Sequence, residues 1–304
     1  RKVDKIIEKF QPDAFLIYGD TNSCLTAYCA KRRKVPIFHF EGGNRCYDLR
    51  VPEEINRKII DHLSDYNYVL SEHARRNLIR EGIREDRIIK TGSHLLEVLN
   101  DNKSSIKASN ILKKLNLNKN SFIVLSAHRE ENVDNQNLLK KLLNQIETIS
   151  KDFNKKIIFS THPRTMKNIQ KISPKLYPSI AFLEPMGYFD YLKLQINSFC
   201  TISDSGTLTE EASLLGFSGI MIRRSHERME GEDVPLLLHS PIEENDLALN
   251  IKLLKKIRCN NNLDFNISDY NNANVSDQVS MSIINNISKV NNYTWFKNSE
   301  YSDY

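Results

Sequence analysis

Short apolar runs recur along the chain, and the segments between them mostly carry apolar residues at helical spacing. The runs are AFLIYG (14–19), PIFHFE (36–41), YNYVLS (66–71), RIIKTG (87–92), FIVLSA (122–127), KIIFST (156–161), IAFLEP (180–185), FCTISD (199–204) and GIMIRR (219–224). Runs this short with little internal alternation read as strands buried on both faces. Segments such as NLLKKLLNQIETI (137–149) carry the helical period between them. Strand–helix alternation over such a length predicts an α/β chain with parallel sheets and right-handed crossovers. The expected architecture is two doubly wound, Rossmann-like domains with an interdomain cleft.

The polar stretch DNKSSIKASN (101–110) predicts the boundary, giving a first domain over 1–105 and a second over 106–274. The Asn-rich region 259–276 predicts a loop. A last amphipathic helix within 275–304, with Val279, Ile283, Ile284, Ile287 and Val290 on one face, predicts a return to the first domain. The chain opens inside a helical pattern, RKVDKIIEKF, which predicts that further chain precedes it.

With 304 residues, 40% of them hydrophobic, the chain has enough apolar side chains for two cores. Its apolar runs are too short for a transmembrane helix, and no signal peptide is visible. The five cysteines are odd in number and scattered without a C-x-x-C pair, which predicts reduced thiols in a cytoplasmic protein. The net charge of +5 is spread along the chain, which argues against nucleic acid and suits an anionic small molecule.

Ligands of doubly wound sheets bind beyond the carboxyl ends of the strands. The exits GDTNS (19–23), EGGNR (41–45), HREEN (128–132), THPRT (161–165), SDSGT (203–207) and RRSHERMEGED (223–233) are where polar and ionisable residues gather. In SDSGTLTEEA (203–212), Ser205 and Gly206 sit where a strand turns into a helix. Backbone N–H groups there suit phosphate oxygens, and Glu211 lies within reach of a ribose diol. The same residues also make an ordinary N-cap with a capping-box Glu. Asp20, Glu41 and the pair Glu53–Glu54 follow the early strands, either as caps and salt-bridge partners or as proton-transfer groups. His128 and His162, with Arg129 and Arg164 close behind, suit a phosphate cradle. The eight histidines show no metal-ligand spacing, and P-loop, dinucleotide and nucleophile-elbow fingerprints are missing, so no metal or cofactor is expected.

Together these motifs resemble the non-hydrolysing UDP-N-acetylglucosamine 2-epimerase family, from about residue 10 to 296. The carrying motifs are GDT (19–21), EGG-R (41–45), PEE-NR (52–57), HREEN (128–132) and DSG---EE (204–211), in the family's order and spacing. The segments RCYDLRVPEEINRKIIDHLSD (45–65), SHERMEG (225–231) and VNNYTWFK (290–297) are similar to the UDP-N-acetyl-L-fucosamine synthase branch. The chain departs from that branch at Met229, where Pro is usual, and along 232–240.

The resemblance implies a GT-B-like fold without its first strands, no cofactor, no metal, no membrane and homodimers. It implies C2-epimerisation of a UDP-linked amino sugar by elimination and re-addition of UDP. The branch implies UDP-2-acetamido-2,6-dideoxy-L-talose as substrate, in capsule or O-antigen biosynthesis. The wider family implies the UDP-GlcNAc/UDP-ManNAc pair. Carried over by motif, Asp20, Glu41, Glu53 and His128 are the catalytic residues. Arg45, Arg129, Asn132, Ser205, Gly206 and Glu211 contact the nucleotide, with His162, Arg164, His226 and Arg228 lining the cleft. A GT-B glycosyltransferase or a non-catalytic sugar-nucleotide sensor are the competing classes.

Overall fold

The computed structural model describes residues 2–234, 236–258 and 266–297. The chain divides into two compact units, Arg1–Glu97 with Ser268–Tyr304, and Val98–Ile267. Each is built on one wholly parallel sheet. The division thus falls ahead of the expected residue 105. Residues 101–110 are not a linker: the helices Leu95–Asp101 and Lys103–Ala108 occupy this stretch. Leu99 and Ile106 are buried, and the Ser109 hydroxyl donates to Asp190. Buried apolar side chains on both of these short helices outweigh the polar residues around them.

In the first unit the strands are β1 Phe15–Tyr18, β2 Ile37–Phe40, β3 Tyr66–Val69 and β4 Ile88–Lys90, in that spatial order. The central β2 and β3 are buried along their whole length, as a sheet covered on both faces requires. The helix Val275–Tyr293 covers one face. Its Val275, Val279 and Val290 pack with Phe38, Phe40, Tyr66, Tyr68 and Leu70, and Ile283, Ile287 and Trp295 join them partly buried. Ile284, expected on the same face, is instead exposed. It follows Ile283 by one residue, about 100° around the helix.

In the second unit the strands are β5 Phe122–Ser126, β6 Lys156–Ser160, β7 Ile180–Leu183, β8 Thr201–Ser203, β9 Gly219–Met221 and β10 Leu237–His239. The last of these has no counterpart among the expected runs. The spatial order is β10-β9-β8-β5-β6-β7. The chain runs outward from β5 through β6 to β7, then returns to build β8 on the other side of β5. The switch point is therefore between β5 and β8, where a doubly wound sheet opens a crevice at its carboxyl edge. The helix Gln136–Phe153 buries Leu139, Leu142, Leu143, Ile146 and Ile149 at helical spacing. Asn135 caps its start by accepting from the N–H groups of Asn137 and Leu138. In the Asn-rich region 259–276, residues 259–265, including Cys259, lie outside the described residues. Ser268–Tyr270 forms one turn of 3-10 helix.

Val290 is fully buried in the cluster that also holds Trp295, the single tryptophan of the chain. Val290→Ala should destabilise the first unit by about 1.5–3 kcal/mol. The check is the urea midpoint followed by tryptophan emission, which should fall. An unchanged midpoint would mean that this helix adds nothing to the core.

Candidate active site

In the second unit the exits of β5 and β8 are tied together by one carboxylate. Asp204 follows β8 and is fully buried. It accepts from the backbone N–H groups of His128 and Arg129 and from the Asn132 side-chain amide, each at 3.0–3.1 Å. His128 Nδ1 lies 3.1 Å from its Oδ1. A carboxylate without water needs this many donors. The result fixes the HREEN turn and leaves the His128 ring partly exposed, with 43% of the side chain open. Asn132 therefore belongs to the scaffold: it is buried and directed at Asp204 and the Ile222 carbonyl, so its expected nucleotide contact is corrected. Arg129 is half-buried.

Beside this turn lies the start of the helix Leu208–Leu215. The Ser205 N–H donates to the Ser203 hydroxyl, and the Ser205 and Thr207 hydroxyls are 3.0 Å apart. Thr207 stands at the N-cap but makes no side-chain cap, and Glu211 does not close a capping box. Glu211 instead accepts from Gln195 at 2.8 Å and from the Thr207 hydroxyl at 3.1 Å. Burial, with Glu210 alongside, pushes its carboxyl up to about 7 against those two hydrogen bonds. A Cβ on Gly206 would stand 2.6 Å from Glu227 Oε1, so the missing side chain makes room for Glu227. That carboxylate pairs with the buried Arg223 at 3.0 Å.

Arg228, expected to line the cleft, is buried and donates to Glu210 at 2.9 Å. His226 is buried, with Nε2 3.0 Å from Glu232 Oε1 and its ring stacked on His239 at 4.1 Å. His226, Glu232 and His239 are the group among the described residues whose donor atoms come close enough for a cation. The rings lie 23° from parallel, so their lone pairs run side by side instead of converging as zinc ligands do. Burial and the neighbouring His226 lower His239 to about 4, leaving it neutral at pH 7. His162 is exposed and caps the helix Pro163–Ile172 by accepting from the Arg164 N–H. Arg164 is spent on Glu130 and Asp134, a surface use that sequence reading had assigned to the ligand.

In the first unit the helix Pro52–Leu63 organises the acidic exits. Its second carboxylate, Glu54, is fully buried and accepts from the N–H groups of Cys46 and Tyr47 and from Arg57. Glu53 is half-exposed, and its side chain has no hydrogen bond or ion pair among the described residues. Arg57 donates to Asp20 Oδ2 at 2.7 Å, and the Asn56 amide donates to the Asp20 carbonyl at 2.9 Å. The PEE-NR motif is thus a clamp on Asp20. Glu41 sits at φ 75°, a left-handed conformation that costs a non-glycine residue about 1–2 kcal/mol. Such strain gathers at functional sites. Gly19, also left-handed, has no Cβ to meet Glu41 Oε2, which would lie 3.5 Å away.

Arg45 is corrected most fully. It is wholly buried and bonds Glu81 through two nitrogens and Asp61 at 2.7 Å, so it is part of the core and not the nucleotide contact expected of it. Asp61 also receives the Gly43 N–H at 3.1 Å and His39 Nδ1 at 2.8 Å. Burial alone would raise it, but the His39 hydrogen bond and the His39 and Arg45 charges hold it below the usual carboxylate range. Sequence reading assigns no role to Asp61, Asp204, Asn56, Arg57 or His39. Asn56 and Arg57 fall in PEE-NR and Asp204 in DSG---EE, and the spacing of Asn56 and Arg57 from Glu53 and Glu54 on one helix is the available signal.

A model of the UDP-N-acetylglucosamine 2-epimerase family matches residues 1–284. The chain belongs to that family. It is similar to the UDP-N-acetylglucosamine 2-epimerase of Methanocaldococcus jannaschii, 36% identical over 265 residues, covering 84% of this chain and 72% of the relative. The solved structure of the Rickettsia bellii UDP-N-acetylglucosamine 2-epimerase superposes with a TM-score of 0.89 at 45% identity, over 97% of this chain and 80% of that one. The M. jannaschii enzyme in complex with UDP-GlcNAc and UDP superposes with a TM-score of 0.82 at 31% identity, over 93% and 79%. Membership makes the chain an isomerase, a UDP-sugar 2-epimerase with the GT-B-like α/β fold. No helix among the described residues is long and apolar enough to cross a membrane.

Glu211 gives a pH test. Its carboxyl is raised from 4.5 to about 7 in the folded chain, so the folded state holds the proton more tightly than the unfolded one. Stability from this group is full below about pH 4.5 and is lost as pH climbs through about 7, a span worth on the order of 3 kcal/mol. Urea midpoints of the native chain should fall between pH 5 and 8, and Glu211→Gln should flatten that fall. Parallel pH profiles would place the buried proton elsewhere.

Proposed function

We propose that the chain inverts C2 of UDP-2-acetamido-2,6-dideoxy-L-talose to give UDP-N-acetyl-L-fucosamine, by anti elimination of UDP and its re-addition, in capsule or O-antigen biosynthesis. No carbonyl is attached to C2, so its hydrogen is weakly acidic. Loss of UDP from C1 is what makes its removal feasible. The step needs a carboxylate at the C2 proton, a second acid for the opposite face, and charge stabilisation for the departing diphosphate.

The observation that carries this reading is the different state of the first unit's carboxylates. Glu54 is buried as a helix clamp, Asp20 is anchored by Arg57, and Glu53 is left without a partner among the described residues. In this reading Asp20, Glu41 and Glu53 handle the C2 proton on its two faces. His128, Arg129 and the backbone at Ser205–Gly206 take the diphosphate, and Glu211 takes the ribose hydroxyls. A glycosyltransferase would need an acceptor and no such acidic set.

The branch-like segments 45–65 and 225–231 support the 6-deoxy-L-sugar. The names of the similar proteins favour UDP-GlcNAc as a second reading. A pocket for a methyl discriminates only weakly against a hydroxyl, by about a hundredfold or less, whereas the L-configuration changes how C2 is presented to the carboxylates.

Each UDP-sugar should be incubated alone in heavy water and C2 deuterium followed. Exchange should occur without an acceptor and run faster on the L-talo substrate. Glu53→Gln should slow it by about 10²–10⁴-fold. Faster exchange on UDP-GlcNAc would transfer the assignment to that sugar, and no exchange on any UDP-2-acetamido sugar would end the epimerase reading.

A further inference from the structure

His39 lies at the centre of β2, and its ring is almost wholly buried, with 1% exposed. Its two nitrogens face two acceptors: Nδ1 is 2.8 Å from Asp61 Oδ1 and Nε2 is 3.2 Å from the Gly19 carbonyl oxygen. A carbonyl oxygen can only accept. Asp61 is already an acceptor for the Gly43 N–H at 3.1 Å and for Arg45 Nη1 at 2.7 Å. Both ring nitrogens must then donate, which requires both protons. The charge count agrees. Arg45 pairs with Glu81 through two nitrogens, leaving one negative charge on Asp61 to be met by one positive charge on His39. Without it, the fully buried Asp61 carboxylate would have to share the Arg45 charge with Glu81.

We infer that His39 is a positioning residue for the epimerisation, held as an imidazolium that fixes the Gly19 carbonyl and so the backbone entering Asp20. This rests on the epimerase reading of Asp20 and Glu41. Gly19 is gripped twice, since its own N–H donates to the Phe40 carbonyl at 3.1 Å. One residue on are Asp20, on its Arg57 clamp, and Glu41, on the other side of the same junction. The Gly43 N–H bond to Asp61 secures the far side of the Glu41 turn. His39 and Asp61 therefore set the spacing of two candidate proton-transfer groups without touching a ligand themselves.

The charged and titratable groups facing the ring are few. The helix Pro52–Leu63 presents Asp61, with Arg57 and Glu54 one and two turns earlier. The strand-exit loops present Asp20, Glu41 and Arg45. Glu81 lies beyond Arg45, with His62 3.5 Å from it. Cys24 is pushed up to about 11 by burial and by the charges of Asp20 and Asp61, so its thiol stays neutral. Loss of the Nε2 proton would turn a lone pair against the Gly19 oxygen and release that loop.

The ring's state is read on the native enzyme by 15N NMR of the imidazole nitrogens at pH 7.5, with His39→Asn assigning the resonance. Two protonated nitrogens are expected; a neutral single tautomer would overturn the proposal. His39→Asn keeps a donor toward Asp61 but cannot bridge to Gly19. Its kcat should fall about 30–100-fold, with KM for the UDP-sugar within about threefold. A native kcat in this variant, or a loss confined to KM, would also overturn it. If His39→Asn does not fold, the native spectrum decides alone. Absence of C2 exchange in the native enzyme would count against the epimerase reading instead, and the protonation state would still be read.

Discussion

A carboxylate removed from water must be met by donors from the protein, and this requirement organises the functional end of each sheet. In the second unit Asp204 draws in two backbone N–H groups, one side-chain amide and the His128 ring. In the first, Asp61 draws in His39, Arg45 and the Gly43 N–H. Removing the donors of a fully buried carboxylate leaves a charge with nowhere to go, which costs far more than a surface ion pair contributes. The turns that carry the candidate chemistry are therefore held by the cores beneath them. Among the described residues, the Glu53 side chain is left without a partner and the His128 ring keeps an exposed edge.

Much of this fold is legible in the sequence because a parallel strand buried on both faces is a short unbroken apolar run. Nine such runs found their strands at nearly the expected bounds. β10 was not among them, although VPLLLHS (234–240) carries three consecutive leucines. The 101–110 stretch misleads because its polar composition hides two short helices, each of which buries an apolar residue, Leu99 and Ile106. Ile284 misled for a related reason: an isoleucine one residue off the buried stripe of a helix still looks apolar in a list.

The candidate site was legible as a set of positions but not as a set of roles. Motif letters show that Arg45, Asn132 and Arg228 belong near a functional turn. They cannot show that each is spent on a buried carboxylate, because Asp61, Asp204 and Glu210 are distant from them in sequence. A guanidinium or an amide has the same symbol whether it meets a phosphate or a carboxylate of its own fold. Only the partners decide, and Asp204 lies 76 residues from His128. The same logic separates Glu53 from Glu54. Adjacent and identical in sequence, they point to different sides of one helix turn, one into the N–H groups of Cys46 and Tyr47 and the other away from them.

The central claim is that epimerisation proceeds through cleavage of the bond between C1 and the UDP oxygen, with the carboxylates acting only once the leaving group is on its way. A UDP-sugar labelled with 18O at the oxygen bridging C1 and the β-phosphorus tests this directly. Incubated with the enzyme until part of it has epimerised, the recovered substrate should have lost label from the bridge to the non-bridging β-phosphate positions, seen as a 31P isotope shift. Inverted product alongside a bridge that keeps all its label would contradict the account, because C2 would then have been inverted without UDP ever leaving.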